Sequence, residues 1–175
     1  LTAHFSYDTR DFLPNPYKGQ ALLLNGTVYR RGFGSDTDFE TLEITYDTYF
    51  RVRERDVLAF DVYSKLNWGD VPWSMMSKLG DNRRMRGYFL GQYRDKAMLT
   101  AQVEYRWHIA GRQGMVFWAA TGAIAGNPGA LASAHWLPNA GIGYRFEFKP
   151  RVNVRFDVGV GSHTKGAYFQ INEAF

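Results

Sequence analysis

The stretch Arg151-Val152-Asn153-Val154-Arg155-Phe156-Asp157-Val158-Gly159-Val160-Gly161 decides the reading of this chain. After a break at Ser162-His163-Thr164-Lys165 it is answered by Ala167, Phe169, Ile171 and Phe175, which alternate with Tyr168, Gln170, Asn172 and Ala174. Alternation with period two sends successive side chains to opposite faces of a strand. One face of these strands is apolar and free of glycine, whereas the other carries Arg155, Asp157 and the glycines. A soluble sandwich would bury the apolar face. A membrane barrel turns it outward to lipid and keeps the polar face inside. The aromatic residue that closes the last expected strand favours the barrel.

Composition agrees. Hydrophobic residues make up 45% of the 175 residues while mean hydropathy is only -0.37, and no apolar run approaches the ~18 residues of a membrane helix. The chain is rich in aromatics, with 11 Tyr, 13 Phe and 5 Trp, and in glycine, with 18. Both suit barrel strands with interfacial aromatic girdles. The net charge of +4 comes from scattered Arg and Lys without a basic stripe, so no nucleic-acid partner is expected. With no Cys there is no disulfide framework, thiolate metal site or cysteine nucleophile.

Further alternating segments run from Leu1 to Asp8, Gln20 to Arg31, Phe39 to Arg51, Asp56 to Trp68, Ala97 to Ile109, Met115 to Ile124 and Asn139 to Phe148. The second is blurred by Leu22-Leu23-Leu24. With the final pair this gives roughly nine strands of ~9–12 residues, the length a tilted strand needs to cross a bilayer. Connections alternate in length: short ones at 10–19, 52–56, 110–114 and 149–151, longer ones at 32–38, 69–96 and 125–138. Outer-membrane barrels sort their loops this way, with short periplasmic turns and long outer loops.

The expectation is therefore an all-β chain, a single transmembrane antiparallel β-barrel domain over residues 1–175, in an outer membrane. Leu99, Val103, Tyr105, Trp107, Ile142, Tyr144, Phe146, Val154, Phe156, Val158 and Ile171 should face lipid, and Arg145, Arg155 and Asp157 should not. Leu1-Thr2-Ala3-His4-Phe5 is not an export signal. Because single-chain barrels carry even strand numbers, the chain is expected to be the C-terminal part of a longer one. The rival is an eight-stranded mini-barrel, in which the edge strands would pair directly.

The long connection holds Met85-Arg86-Gly87-Tyr88, which resembles the Val-Arg-Gly-Phe/Tyr signature of the bacterial surface antigen family. That BamA-like superfamily comprises outer-membrane assembly and translocation barrels. Glu104-Tyr105-Arg106 on the next strand, Gly34-Ser35-Asp36-Thr37-Asp38-Phe39 and the ending Tyr168–Phe175 are similar to family features in the same order. The resemblance implies a sixteen-stranded barrel whose long loop folds into the lumen. It implies that Arg86 forms an ion pair with an inner-wall acid, Glu104 being the natural one. It also implies that Phe169, Ile171 and Phe175 form a C-terminal signal read by the barrel assembly machinery. One departure is that Phe117-Trp118-Ala119-Ala120-Thr121-Gly122 lacks the acid of the family's Phe-x-Asp-x-Gly pattern. The lock is then weaker, or Asp61, Asp47 or Asp157 completes it.

Enzymatic readings find little support. His4, His108, His135 and His163 are scattered without a metal-ligand spacing, and the charged residues of the polar face read as wall charges. No catalytic residue, metal or cofactor is expected. The function implied by the resemblance is insertion or translocation of proteins, or of lipids, at an outer membrane through a lateral seam and lumen, with unfolded client proteins or a fused passenger and outer-membrane lipid as partners. The alternative is a passive small pore or membrane anchor, including the barrel of a self-secreted passenger, and a third reading is a soluble β-sandwich binder.

Overall fold

The computed structural model describes all residues 1–175. It is all-β, with one large antiparallel sheet and a small two-stranded one. The large sheet is built from β1 (Thr2–Asp8), β2 (Gly19–Tyr29), β3 (Phe39–Arg51), β4 (Val57–Gly69), β7 (Ala97–Ala110), β8 (Gln113–Ala125), β9 (Leu137–Lys149), β10 (Val152–Gly161) and β11 (Thr164–Ile171). Its nine strands lie side by side in chain order. The small sheet pairs β5 (Ser77–Leu79) with β6 (Tyr93–Asp95) inside the long connection, two strands too short for periodicity to reveal. No helix is long and apolar enough to cross a membrane, which leaves crossing by strands untouched.

The blurred segment expected over residues 20–31 is a strand over Gly19–Tyr29, and Arg31 already belongs to a 3-10 turn, Arg31–Phe33. The strand pairs along its length with β3, placing Leu22 opposite Tyr46 and Leu24 opposite Ile44. Leu23 then falls on the inner side beside buried Ala21, opposite Thr45. Register thus assigns each leucine a face where the local pattern could not.

The faces of the sheet are inverted relative to a soluble protein. One row runs Phe50, Leu58, Tyr105, Phe117, Ile142, Val158 and Ala167, each opposite the next across neighbouring strands. This is the outer row: Ile142 is 51% exposed and Phe156 beside it 48%, and Trp107, Tyr144, Phe146 and Ile171 are also exposed. Leu99, Val103, Tyr105 and Val154 on the same face are half-buried. The inner face holds Asp47, Asp61, Gln102, Glu104, Arg106, Arg145, Arg155 and Asp157, all buried. Apolar clusters inside are small, the largest comprising five buried residues. Burial of apolar area, the usual driving term for a water-soluble fold, is weak on this inner face.

At the rim of short turns the sheet curls back on itself. Arg151, in the β9–β10 turn, donates to Asp11 and to the Asn15 carbonyl of the β1–β2 turn at 3.0 and 2.7 Å. Arg55 of the β3–β4 turn reaches Glu147 on β9. The ring of backbone pairing nevertheless stays open. β1 and β11 are the two edges of the sheet and do not pair with one another, and every residue of β1 is exposed.

The end of the chain corrects the expected final strand. β11 stops at Ile171, and Asn172 adopts a left-handed conformation (φ 69°) that turns the backbone inward. Asn is among the few residues that tolerate this region. Phe169 and Ile171 lie on the outer face, but Phe175 is inside, 5% exposed and packed on Tyr49, Val57 and Ala59. The three do not share one strand face.

Candidate functional site

The connection from Asp70 to Lys96 enters the space against the inner face, and Met85-Arg86-Gly87-Tyr88 is its deepest part, each residue buried. Arg86 is 0% exposed. Its guanidinium donates through Nη2 to Glu104 on β7 and through Nη1 to Asp157 on β10 at 2.8 Å. The guanidinium carbon also lies 3.7 Å from the centroid of the Trp118 ring on β8. A planar fork suits such bridging, since its donors diverge in fixed directions and its face can stack on an aromatic ring. Arg86 thereby touches three strands of the sheet.

These acids are shared. Glu104 also accepts from Arg106 Nε at 3.3 Å, and Asp157 accepts from Arg145 and Arg155 at 2.5 and 2.9 Å. Arg145 continues to Glu173 at 2.8 Å. The chain of alternating charges therefore runs from the loop to the inward tail. In a site closed to water each of these ions needs its partner, because an unpaired buried charge costs several kcal/mol. Of the three acids weighed as completing the lock, Asp157 is the one that reaches Arg86, whereas Asp61 holds Arg84 through a fork with contacts of 2.8 and 2.5 Å.

Glycines make the room. Glu104, Trp118, Gly141, Gly159 and Gly166 form an inner row, each opposite the next. A Cβ added at Gly159 would stand 2.2 Å from the Arg86 carbonyl oxygen, and one at Gly141 would stand 2.1 Å from the Trp118 ring. Gly161 is likewise filled by the Tyr88 ring. Gly87 itself has φ 115°, a conformation that favours glycine, and its missing Cβ faces the backbone of Gly159. The glycine-bearing face of β9–β11 is thus a bay that receives the loop.

The loop is also sewn by backbone contacts. Asn139 on β9 donates to the Arg86 carbonyl and to that of Val160, and accepts from Trp118 Nε1 at 3.0 Å. The Tyr168 hydroxyl accepts from Gly87 N, and the Tyr88 hydroxyl donates to Pro138 O while accepting from Ser162 N. Met85 and Tyr88 pack with Leu79, Met98 and Leu137. Arg155 holds the Asn82 carbonyl at 2.6 Å, and Arg83 holds that of Ala174 at 2.6 Å. The tail is therefore part of the site. Glu173 is pushed up by burial, but Arg145 and Arg106 outweigh this and hold its carboxyl down at about 2.

The structure brings together Arg86, Glu104, Gly87, Tyr88 and Met85. Phe169 and Ile171 lie away from this site on the outer face, while Phe175 joins it from the tail, its carbonyl accepting from Arg106 at 2.9 Å. Sequence reasoning missed Trp118, Asn139, Tyr168 and the Arg84–Asp61 pair. The signal for the bay was present in the glycines confined to the polar face of the last strands. No group of His, Asp and Glu is arranged to hold a metal ion. What the arrangement does chemically is fasten a loop. No known protein family and no curated protein matches the chain.

Proposed function

We propose that this chain is part of the wall of an outer-membrane β-barrel of the bacterial surface antigen, BamA-like type, acting in protein insertion or translocation without turnover chemistry. One observation carries the reading: the outer face is a continuous apolar row while the inner face buries ions around a plug-like loop. In water that distribution wastes apolar area, whereas in a bilayer it is the stable one. The resemblance of Met85-Arg86-Gly87-Tyr88 to the family signature supports the narrower assignment.

On this reading the loop closes the lumen, and the open edges at β1 and β11 form the margins of a seam. Lipid cannot hydrate unpaired backbone groups, so further strands, from this or another chain, complete the ring or pair transiently with it. Clients would be unfolded, strand-forming segments or a fused passenger, and the barrel assembly machinery would meet the outward Phe169 and Ile171.

Two measurements test this. In vesicles of brominated phospholipid, a variant retaining only Trp107 is quenched strongly and one retaining only Trp118 is not, because one ring lies outside and the other inside. Equal quenching, or none, removes the membrane wall. Proteoliposomes carrying the longest native form of the chain should then accelerate folding of an added strand-rich client. A chain that inserts but gives no acceleration is a passive pore or anchor.

A further inference from the structure

Asp47 on β3 and Asp61 on β4 are directly opposite one another in register, both on the inner face and both buried. Side chains so placed have Cβ atoms ~4.5–5.5 Å apart, and like charges there repel. The two are partnered unequally. Asp61 receives the Arg84 fork and a longer contact from Gln102 Nε2 at 3.5 Å. Asp47 Oδ1 is sealed from solvent with no hydrogen-bond donor in reach, and Oδ2 has only Arg10 Nη1, 3.8 Å away. Arg10 is itself already held by Asp8 at 2.6 Å.

The other carboxylates of the inner strand faces differ. Glu43 has Lys65 at 3.0 Å, Glu104 has Arg86, and Asp157 has Arg86 at 2.8 Å. Asp47 alone on these faces combines a like-charged neighbour with a sealed, unsatisfied oxygen. An ionised oxygen in that position is costly, and a proton removes the cost. Two adjacent carboxyls commonly share one proton for this reason.

We infer that Asp47 and Asp61 form a proton-binding pair, holding one proton between them at neutral pH, and that further proton uptake is linked to release of Arg84 and with it the inward loop. This deepens the reading of the loop as a plug, but it concerns only how the loop is seated.

The remaining groups around the pair fix the sign. From the loop come Arg84 and Asp81, from the β1–β2 turn Arg10, from β3 Tyr49 and from β4 Tyr63. Arg106 on β7 faces Tyr49. Arg84 is the one cation in hydrogen-bonded contact with the pair, so a seated loop favours the ionised form. By linkage, a displaced loop favours proton uptake, and acid favours displacement.

The test uses the full chain folded in bilayers. Infrared difference spectra should show the carbonyl stretch of one protonated carboxyl group at neutral pH, absent in Asp47→Asn. Arg84→Gln should move or intensify that band, since Arg84 is hydrogen-bonded to Asp61 of the pair. A single cysteine at Ser77→Cys, a fully buried loop position in a chain without native cysteine, should be labelled by maleimide about tenfold faster at pH about 5 than at about 8 once each rate is divided by that of the exposed control Val52→Cys, since the thiolate that reacts is scarcer in acid. Asp61→Asn should flatten that dependence. Absence of the band in folded wild type, its survival in Asp47→Asn, spectra unchanged by Arg84→Gln, or normalised labelling that does not rise in acid overturns the inference. Each outcome is read without a client, so failure here is distinct from failure of the translocation reading.

Discussion

The backbone of β10 at Gly159 touches the carbonyl oxygen of Arg86, with room for no Cβ between them. The loop that carries the guanidinium is thus seated by the absence of a side chain as much as by charge. Gly159→Ala places a methyl group 2.2 Å from a backbone oxygen on a segment pinned at both sides. Neither backbone can yield by a simple rotamer change, so either β10 bends or Arg86 withdraws. Overpacking of this kind costs about 1–3 kcal/mol. The expected outcome is a folded sheet whose loop is cleaved faster in limited proteolysis. Unchanged cleavage of the loop would mean that it does not rest on β10.

Glu104 and Asp157 bind the two terminal nitrogens of one guanidinium, so their effects should not add. Removing either leaves Arg86 with one acid, while removing both leaves a buried cation with none. Breaking a buried pair typically costs 3–5 kcal/mol. Glu104→Gln also takes the one carboxylate of Arg106, and Asp157→Asn that of Arg155, so each should cost about that much and the double variant more than their sum. A cycle of denaturant titrations measures the coupling, which between groups sharing a partner is about 0.5–3 kcal/mol. A coupling near zero would show that Arg86 does not bridge them.

The strands were legible because their alternation is strict, as in Ala97–Ala110 and Leu137–Lys149, where nothing local competes with period two. The inward turn at Asn172 was not, since Phe175 keeps the parity of the strand while the backbone departs from it. Parity records spacing and is blind to one left-handed residue. Arg86 and Glu104 could be paired from sequence because one lies in a motif and the other on a polar face. Asp157 could only be placed among three candidates, because its distance from Arg86 depends on how far the sheet curls. The Asn139 contact to the Arg86 carbonyl was invisible for the same reason. Backbone partners leave no charge pattern to read.

Charge on the outer row should be costly only in a bilayer. Val158 stands mid-row between Ile142 and Ala167 and is 43% exposed. Val158→Arg should lower folding stability in phospholipid vesicles by ~2–4 kcal/mol, the cost of an arginine near the midplane of a barrel wall. Val52→Arg, in the exposed β3–β4 turn at the rim, should cost about 0–1 kcal/mol. Equal small costs at both positions would mean that the outer row faces water.

Glu173 gives the tail a pH dependence of definite sign. Burial raises its carboxyl, but Arg145 and Arg106, with the Asn153 amide, hold it at about 2 against an ordinary value of 4.5. A depressed folded value means that the ionised form stabilises the fold. That contribution is fully present above about pH 4.5 and is lost as pH falls toward about 2. The tail also carries the Ala174 carbonyl that Arg83 holds and the Phe175 ring beside Tyr49, so both contacts should loosen together. Stability followed by denaturant titration should therefore decline across this acid window in the wild type. In Glu173→Gln it should start lower and decline less, because the group that takes up the proton is gone. A variant whose acid decline is as steep as that of the wild type would assign the titration to other carboxylates and leave the tail without an electrostatic anchor.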